Sequence, residues 1–218
     1  MMNKFGAMLG GVLSVVALMG VAGVYAAENA WPEGDAADIA KVEAYLNNLT
    51  TYRARFIQMS SDGGYTDGTV WLSRPGLARF EYAPPNDLLL IADGHWLIFF
   101  DRDIDQVTHA SIDTGPFRFL LAETIDLSQD MVVNAVERSR GMLRVQLIDE
   151  DDPDEGSITL VFEEDPMRLS EWRVLDSQGK HTSVIFYDDM FGLELDRALF
   201  RFTGNDRANP DYRRGTYE

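Results

Sequence analysis

Apolar residues recur at helical spacing in one early segment of the chain. Between Asp35 and Leu49 the large apolar side chains fall three or four positions apart, at Ile39, Val42, Tyr45, Leu46 and Leu49. Two aspartates, Asp35 and Asp38, come first, where the positive end of a helix dipole stabilises negative charge. We therefore predict one amphipathic helix over 35–49.

From Thr51 to about Thr108 the helical spacing gives way to short runs of aromatic and branched residues. Turn signals separate these runs. Pro75-Gly76 is the clearest, because proline presets a negative φ and glycine supplies a positive one. Runs of this length between turns are typical of antiparallel strands. The segment is therefore predicted to form an antiparallel meander.

Alternation within one of these strands predicts which side chains face the core. Phe80 and Tyr82 fall on one face of the strand, while Arg79 and Glu81 fall on the other. The aromatic pair is therefore expected to point inward and the charged pair outward.

Two neighbouring runs, 88–91 and 96–100, are apolar at every position and do not alternate. A continuous apolar strand implies cover on both faces, or one face that lines an apolar cavity. Ordinary core strands would give the same pattern, so both interpretations stay open. The facing of residues 96–100 also stays open, because a shift of one residue reverses every side chain.

A different pattern interrupts the strands at 115–122. Pro116 is tolerated in a first helical turn, and Phe117, Leu120 and Leu121 then fall on one side, which predicts a short apolar helix. Strand-like runs resume after it, at 132–136, 143–148, 157–162, 169–175 and 181–187. The expected fold class is therefore mainly β with a small helical component.

The first 26 residues have the composition of a secretory signal peptide. Lys4 precedes an apolar stretch up to Val24, and Val24-Tyr25-Ala26 offers the small residues that signal peptidase prefers. An uncleaved membrane anchor is the alternative, since the stretch is about long enough to cross a bilayer. Cleavage after Ala26 would leave an exported protein with one domain over 27–204 and a polar tail over 205–218.

Composition then excludes several classes of protein. The 218 residues include 19 Lys and Arg, 36 Asp and Glu and no cysteine, for a formal net charge of −17. Without cysteine the chain has no disulfide, no thiol nucleophile, no cysteine-ligated metal and no cysteine for its own acylation. Its acidity disfavours nucleic-acid binding, because phosphate attraction is the largest sequence-independent contribution to that affinity.

The sequence contains none of the common catalytic and metal-binding signatures. The sequence has no Gly-x-Ser-x-Gly elbow, no His-Glu-x-x-His pair and no glycine-rich phosphate loop. Asp93 and Asp101 flank the strand that contains His95, but aspartates at turns commonly accept hydrogen bonds from their own backbone. The acidic run 149–156 lacks the residue register of a calcium loop and is predicted to be a solvated hairpin loop. We therefore expect no enzyme activity, no metal and no cofactor.

Several short motifs follow one another along most of the chain. They are Ala54-Arg55-Phe56-Ile57-Gln58, Gly68-x-Val70-Trp71-Leu72-x-Arg74-Pro75-Gly76-Leu77-x-Arg79-Phe80-Glu81-Tyr82-x-x-Pro85, Asp93-Gly94, Val107-Thr108, Pro116-x-x-x-Leu120-Leu121, Ile158-x-Leu160-x-Phe162, Leu169-x-x-Trp172, Asp176-x-x-Gly179 and Leu199-Phe200-x-Phe202. Each motif alone is weak. Their ordered combination, over about 39–202, resembles the periplasmic outer-membrane lipoprotein carrier family, LolA.

The resemblance implies a curved, incompletely closed antiparallel β-barrel whose apolar concave face is covered by helices that act as a lid. Members of the family take acylated lipoproteins from an ATP-driven transporter of the inner membrane and shield their acyl chains in the periplasm. They deliver the lipoproteins to an outer-membrane acceptor or to the outer membrane itself. By resemblance, this chain is expected to be a monomeric periplasmic carrier, with 35–49 and 116–122 as its lid elements.

The resemblance also implies roles for particular residues. Arg74 takes the position of the arginine that latches the lid, and its five donors suit several main-chain carbonyl oxygens at once. Its position alone favours an exposed turn arginine, and only the resemblance to the family favours the latch. The side chains expected to line the acyl-chain cavity are Val70, Leu72, Phe80, Tyr82, Leu90, Trp96, Ile98, Phe100, Phe117, Leu120 and Leu121.

Two other functions stay open on the sequence alone. A periplasmic lipid-binding or envelope-stress sensor domain would use the same fold. A hydrolase would need a nucleophile or a metal that the sequence does not reveal. The related outer-membrane acceptor is itself a lipoprotein, and this chain lacks the cysteine that acylation requires.

Overall fold

The computed structural model describes residues 33–112, 118–129, 131–150 and 153–204. In this part of the chain, the helix α1 (Glu33–Asn48) precedes all of the strands. The strands are β1 (Thr51–Ser60), β2 (Tyr65–Ser73), β3 (Leu77–Tyr82), β4 (Leu88–Asp93), β5 (Trp96–Asp101), β6 (Gln106–Ser111), β7 (Val132–Ser139), β8 (Met142–Ile148), β9 (Gly156–Glu164), β10 (Met167–Asp176) and β11 (His181–Phe191). Short 3-10 helices lie at Phe119–Leu121, Pro153–Glu155 and Arg197–Phe200. None of the helices described is long and apolar enough to span a membrane.

The strands form one antiparallel sheet of 11 strands in the order β6-β5-β4-β3-β2-β1-β11-β10-β9-β8-β7. Strands that follow one another in sequence pair with each other, except that β6 and β7 do not pair. Pairing of β1 with β11 joins the two halves of the sheet. Because β6 and β7 are the outer strands, the sheet is open. The predicted mainly β fold is confirmed.

A contact between two aromatic rings shows that the sheet is strongly curved. Phe80 in β3 and Trp172 in β10 are four strand positions apart, which corresponds to about 19 Å in a flat sheet with a strand spacing of about 4.8 Å. Their ring centroids are only 5.9 Å apart. Side chains from both halves of the sheet therefore meet across its concave face.

The largest hydrophobic core fills this concave face. Ile39, Val42 and Leu46 of α1 are buried in it. The segment that follows β6 contributes further buried side chains to the same core, namely Phe119, Leu120, Leu121, Ile125 and Leu127. Because α1 and residues 118–127 together cover the concave face, we call them the lid.

Within the helix predicted at 115–122, the described residues contain a short turn. Pro116 and Phe117 lie outside the described residues, and the remainder forms a 3-10 helix over Phe119–Leu121 that ends at an extended Ala122. The three side chains of this turn are buried, so packing holds the segment rather than a helical hydrogen-bond ladder. The predicted signal peptide and the tail over 205–218 also lie outside the described residues.

The convex face of the sheet is covered as well, by the chain that follows β11. Leu199 and Phe200 pack with Trp71 and Leu77. Phe202 packs against a second cluster, formed by Leu89, Ile91, Ile98 and Phe100. The apolar runs of β4 and β5 therefore bury Leu89, Ile91, Ile98 and Phe100 on the convex face of the sheet.

The prediction that Arg79 and Glu81 point outward is right about their face, but the expectation of exposure is wrong. Arg79 is 1% exposed and Glu81 is 8% exposed. Arg79 Nη1 donates to the Leu199 carbonyl oxygen at 3.2 Å, so the segment after β11 covers this charge. Arg79 Nη2 lies 3.0 Å from Glu81 Oε2, and Arg102 Nη2 lies 3.4 Å from Glu81 Oε1. Burial of the carboxylate is tolerated because two guanidinium groups pair with it.

Candidate functional site

An apolar cavity of about 260 Å³ lies on the concave face of the sheet, where the lid covers it. It is lined by Gln58, Leu72, Ala78, Phe80, Tyr82, Leu90, Leu97, Leu120, Leu121, Trp172, Val174, Thr182 and Val184. None of these described lining side chains is charged. The cavity can therefore accept apolar groups, but it offers no counter-ion to a charged one.

The structure brings together six of the residues predicted to line a cavity: Leu72, Phe80, Tyr82, Leu90, Leu120 and Leu121. Val70 is buried next to them, in the packed layer where Leu46 of α1 meets Tyr52 of β1. Phe117 lies outside the described residues.

The prediction that Trp96, Ile98 and Phe100 line the cavity is wrong. Ile98 and Phe100 point to the convex face and pack there beneath Phe202. Trp96 is 51% exposed, with its ring against His109. Leu97, which pairs with Ala92 of β4, lines the cavity instead of these three residues. The cause is the one-residue ambiguity of a strand that is apolar on both faces.

The remaining lining residues come mainly from the second half of the sheet, which sequence analysis did not assign to the site. Trp172 and Val174 lie two apart in β10, and Thr182 and Val184 lie two apart in β11. This alternation is the signal that could have found them. Gln58 carries the same signal in β1, because it follows the buried Phe56 by two positions.

Arg74 connects the loop between β2 and β3 to both parts of the lid. Its Nη1 donates to the main-chain carbonyl oxygen of Leu46, in the last turn of α1. Its Nε and Nη2 donate to the carbonyl oxygen of Ala122 at 3.0 Å and 2.7 Å. A positive charge is favourable at this end of α1, where helical carbonyl groups lack partners.

Arg74 is half-buried, and backbone hydrogen bonds surround it. Burial lowers the pKa of its guanidinium, which stays charged at neutral pH. Gly76, with a φ of +78°, donates its backbone N–H to the carbonyl oxygen of Leu121 at 2.8 Å. Within the lid, Leu127 N donates to Glu43 Oε1 at 2.8 Å. The loop after β2 thus contacts the lid through backbone and side chain together.

One polar pair lies inside the cavity. The Tyr82 hydroxyl donates to Gln58 Oε1 at 2.9 Å. Burial raises the pKa of Tyr82 to about 12, although the hydrogen bond to Gln58 opposes the shift. The hydroxyl is therefore neutral at physiological pH and keeps its proton.

The aspartates that flank β5 are turn residues. Asp93 Oδ1 accepts from the backbone N–H of His95 at 2.9 Å, and Asp101 Oδ1 accepts from that of Asp103 at 3.0 Å. The predicted turn roles are confirmed. Among the residues that the structure describes, no group of three or more His, Cys, Asp and Glu side chains could hold a metal ion.

Sequence similarity to known proteins extends over most of the chain. The family model of "Outer membrane lipoprotein carrier protein LolA" matches residues 47–203. The "Outer-membrane lipoprotein carrier protein" of Pseudomonas paraeruginosa is 27% identical over 177 residues, which cover 77% of this chain and 84% of that protein. The protein of the same name from Chromohalobacter salexigens is 28% identical over 173 residues, which cover 74% of this chain and 80% of that protein.

Among solved structures, a LolA superfamily protein from Nitrosomonas europaea matches 75% of this chain and 97% of its own, with a TM-score of 0.45 and 9% identity. The family model itself spans well over half of the present sequence. The resemblance noted from the ordered motifs is thus confirmed, and the chain belongs to the LolA family of outer-membrane lipoprotein carrier proteins.

Proposed function

We propose that this protein is a periplasmic carrier, which holds the acyl chains of lipoproteins released from the inner membrane and delivers them to the outer membrane. The observation that supports this function best is an uncharged apolar cavity under a lid that Arg74 binds on both of its parts. The names of its relatives agree with such a role.

The physical need for a carrier follows from the hydrophobic effect. Burial stabilises an acyl chain by about 0.8 kcal/mol per methylene, so roughly 45 methylenes in three chains would cost on the order of 35 kcal/mol to expose to water, as an upper bound. Free diffusion of such a lipoprotein through an aqueous compartment is therefore negligible. A protein that covers the chains removes most of this cost.

The size of the cavity implies that the lid moves when cargo binds. Its volume of about 260 Å³ is below the range of about 300–1,000 Å³ that pockets for drug-sized ligands occupy. Three acyl chains therefore do not fit unless α1 and residues 118–127 move away from the sheet. That movement breaks the hydrogen bonds of Arg74 with Leu46 and Ala122.

The free energy that is needed to open the lid assists delivery of the cargo. A cavity that was already open would bind acyl chains with its full affinity and would release them slowly. The closed empty state, stabilised by Arg74, offsets part of the binding free energy and favours release. We infer a cycle in which an inner-membrane ATP-driven transporter loads the monomeric protein and an outer-membrane acceptor, or the outer membrane itself, receives the cargo.

A release assay tests this function. Inner-membrane vesicles that contain the transporter and a labelled lipoprotein are mixed with the purified protein and ATP, and the soluble fraction is analysed for a complex. We expect an ATP-dependent soluble complex of carrier and lipoprotein. Its absence, with the transporter active on a known carrier, would contradict the proposal and favour a lipid-binding or sensor domain.

Two variants on one strand supply a matched control. Leu97→Trp fills the cavity, because Leu97 is part of its lining. Phe99→Trp introduces the same side chain two positions away, at a residue that is 40% exposed and outside the lining. We expect Leu97→Trp to lower the yield of the complex severalfold and Phe99→Trp to leave it unchanged. Equal yields would show that the cavity does not hold the cargo.

A further inference from the structure

The cavity has a polar end, where Gln58, Tyr82 and Thr182 line it and Thr66 lies beside Gln58. Thr66 is the cross-strand partner of Gln58 in β2, so the two side chains share the concave face. Together these four residues bring an amide and three hydroxyl groups to one region of an otherwise apolar surface.

This polar end lies far from the latch. Arg74 N donates to the carbonyl oxygen of Thr50, and Tyr52 pairs with Leu72. Tyr52 therefore marks the end of β1 that lies next to Arg74. Gln58 is six residues further along β1, which is about 20 Å in an extended strand. The polar residues therefore form a feature separate from Arg74.

The polar end offers more hydrogen-bond donors than it uses. The Tyr82 hydroxyl occupies Gln58 Oε1, so the amide nitrogen of Gln58 keeps its donors, with no partner among the described residues. Thr66 Oγ1 is buried and also lacks a partner among them. A buried polar group such as the Thr66 hydroxyl costs free energy unless a ligand or water pairs with it.

The lack of charge on the described lining residues indicates which kind of ligand group suits these donors. A carboxylate or phosphate would be buried beside donors that carry no charge, because the described lining has no Lys, Arg or His. A neutral acceptor, such as an ester carbonyl oxygen, pairs with hydroxyl and amide donors without that cost. Ester carbonyl oxygens lie at the base of the acyl chains of a diacylglyceryl group, where apolar chain meets polar linkage.

We propose that the polar end formed by Gln58, Thr66, Tyr82 and Thr182 binds ester carbonyl oxygens of the cargo, so that the protein prefers ester-linked acyl chains. This inference rests on the proposed carrier function and specifies the part of the cargo that the cavity recognises. A net hydrogen bond of this type corresponds to a factor of about two to ten in affinity.

Two synthetic lipopeptides test the proposal. One has three acyl chains with ester-linked glyceryl oxygens, and the other is identical except that each ester carbonyl is replaced by a methylene to give an ether. Their Kd values for the purified full chain are measured by fluorescence titration. We expect wild-type protein to bind the ester probe about fivefold more tightly than the ether probe.

Variants then assign the preference to the polar end. Gln58→Leu combined with Tyr82→Phe removes the donors of both partners and should abolish most of the preference for the ester probe. Thr182→Val changes one hydroxyl to a methyl group and should lower the preference partway. Tyr65→Phe removes an exposed hydroxyl outside the cavity and should keep the full preference.

The outcomes separate this inference from the carrier function. If wild-type protein binds both probes tightly and equally, the ester site is wrong and the carrier function stands. If it binds neither probe, the carrier function fails and the ester site fails with it. An ester preference that persists in both the double variant and Thr182→Val would also overturn the proposal.

Discussion

The side-chain amide of Asn47 pairs with the main chain of Ile125 through two hydrogen bonds. Asn47 Nδ2 donates to the Ile125 carbonyl oxygen, and Ile125 N donates to Asn47 Oδ1, each at 2.8 Å. The pair joins α1 to residues 118–127, whereas Arg74 joins both of these parts to the sheet. The two parts of the lid are thus held to each other by contacts that do not involve the latch.

Replacement of Asn47 should loosen the lid internally. Asn47→Ala removes both hydrogen bonds and leaves the N–H and C=O groups of Ile125 without partners, at a cost of about 2 kcal/mol. We expect the Ile125 amide to exchange with deuterium roughly thirtyfold faster, as measured by NMR. Asn48→Ala, at the exposed neighbouring position, is the control and should leave this rate unchanged. Unchanged exchange in Asn47→Ala would show that the pair does not hold the lid together.

The buried carboxylate of Glu81 should matter for stability but not for cargo. Glu81→Gln leaves Arg79 and Arg102 without their shared charge partner, which should cost about 3 kcal/mol in the free energy of unfolding. Cargo binding should be unchanged, because Glu81 lies on the convex face, opposite the cavity.

Urea denaturation measures the effect of Glu81→Gln. Glu171→Gln is the control, since Glu171 pairs with the half-exposed Arg173 at 2.7 Å and such pairs contribute less than about 1 kcal/mol. A cost for Glu81→Gln as small as for Glu171→Gln would mean that the buried network adds no stability.

The architecture could be predicted from the sequence because apolar and polar residues alternate in most strands and turn residues separate them. Phe80 and Tyr82 were placed in the cavity because charged residues marked the other face of their strand. The run 96–100 had no such mark, since Phe202 covers its convex side and both faces are apolar. Leu97 and Ile98 could therefore not be assigned to faces from their own strand.

Contacts between residues far apart in the sequence explain the other differences between prediction and structure. The alternation of its strand predicts that Arg79 is a surface charge. Its burial depends on the carbonyl oxygen of Leu199, which lies 120 positions later in the chain. The polar end of the cavity was not predicted for a similar reason. Gln58 and Thr182 belong to different halves of the chain, and only the pairing of β1 with β11 brings them to one site.

Tyr82 should make stability depend on alkaline pH. Burial raises its pKa to about 12, compared with about 10 in an unfolded chain. Because the folded-state pKa is the higher one, this contribution to stability is complete below about pH 10 and is lost as pH rises towards 12. Between about pH 9 and pH 11.5, wild-type protein should lose about 2 kcal/mol more than Tyr82→Phe.

Urea titrations at the two pH values measure this difference. Tyr65→Phe, which removes an exposed hydroxyl, should follow wild-type protein. Equal losses in wild-type protein and Tyr82→Phe would contradict the raised pKa.

We propose that Arg74 holds the lid closed in the empty carrier and thereby allows release. Arg74→Leu removes its donors to the carbonyl oxygens of Leu46 and Ala122, so the empty state loses stability relative to the loaded one. Arg74→Lys keeps the charge but cannot bridge several carbonyl oxygens with a planar fork. Uptake should therefore persist in both variants, while delivery should fall.

A two-step transfer with a labelled lipoprotein tests the role of Arg74 in release. Wild-type protein, Arg74→Lys and Arg74→Leu are loaded from inner-membrane vesicles with ATP, isolated as soluble complexes and mixed with outer-membrane vesicles. We expect similar loading of all three and transfer from Arg74→Leu that is at least about tenfold slower than from wild-type protein, with Arg74→Lys between them. Transfer from Arg74→Leu at the wild-type rate would contradict the account.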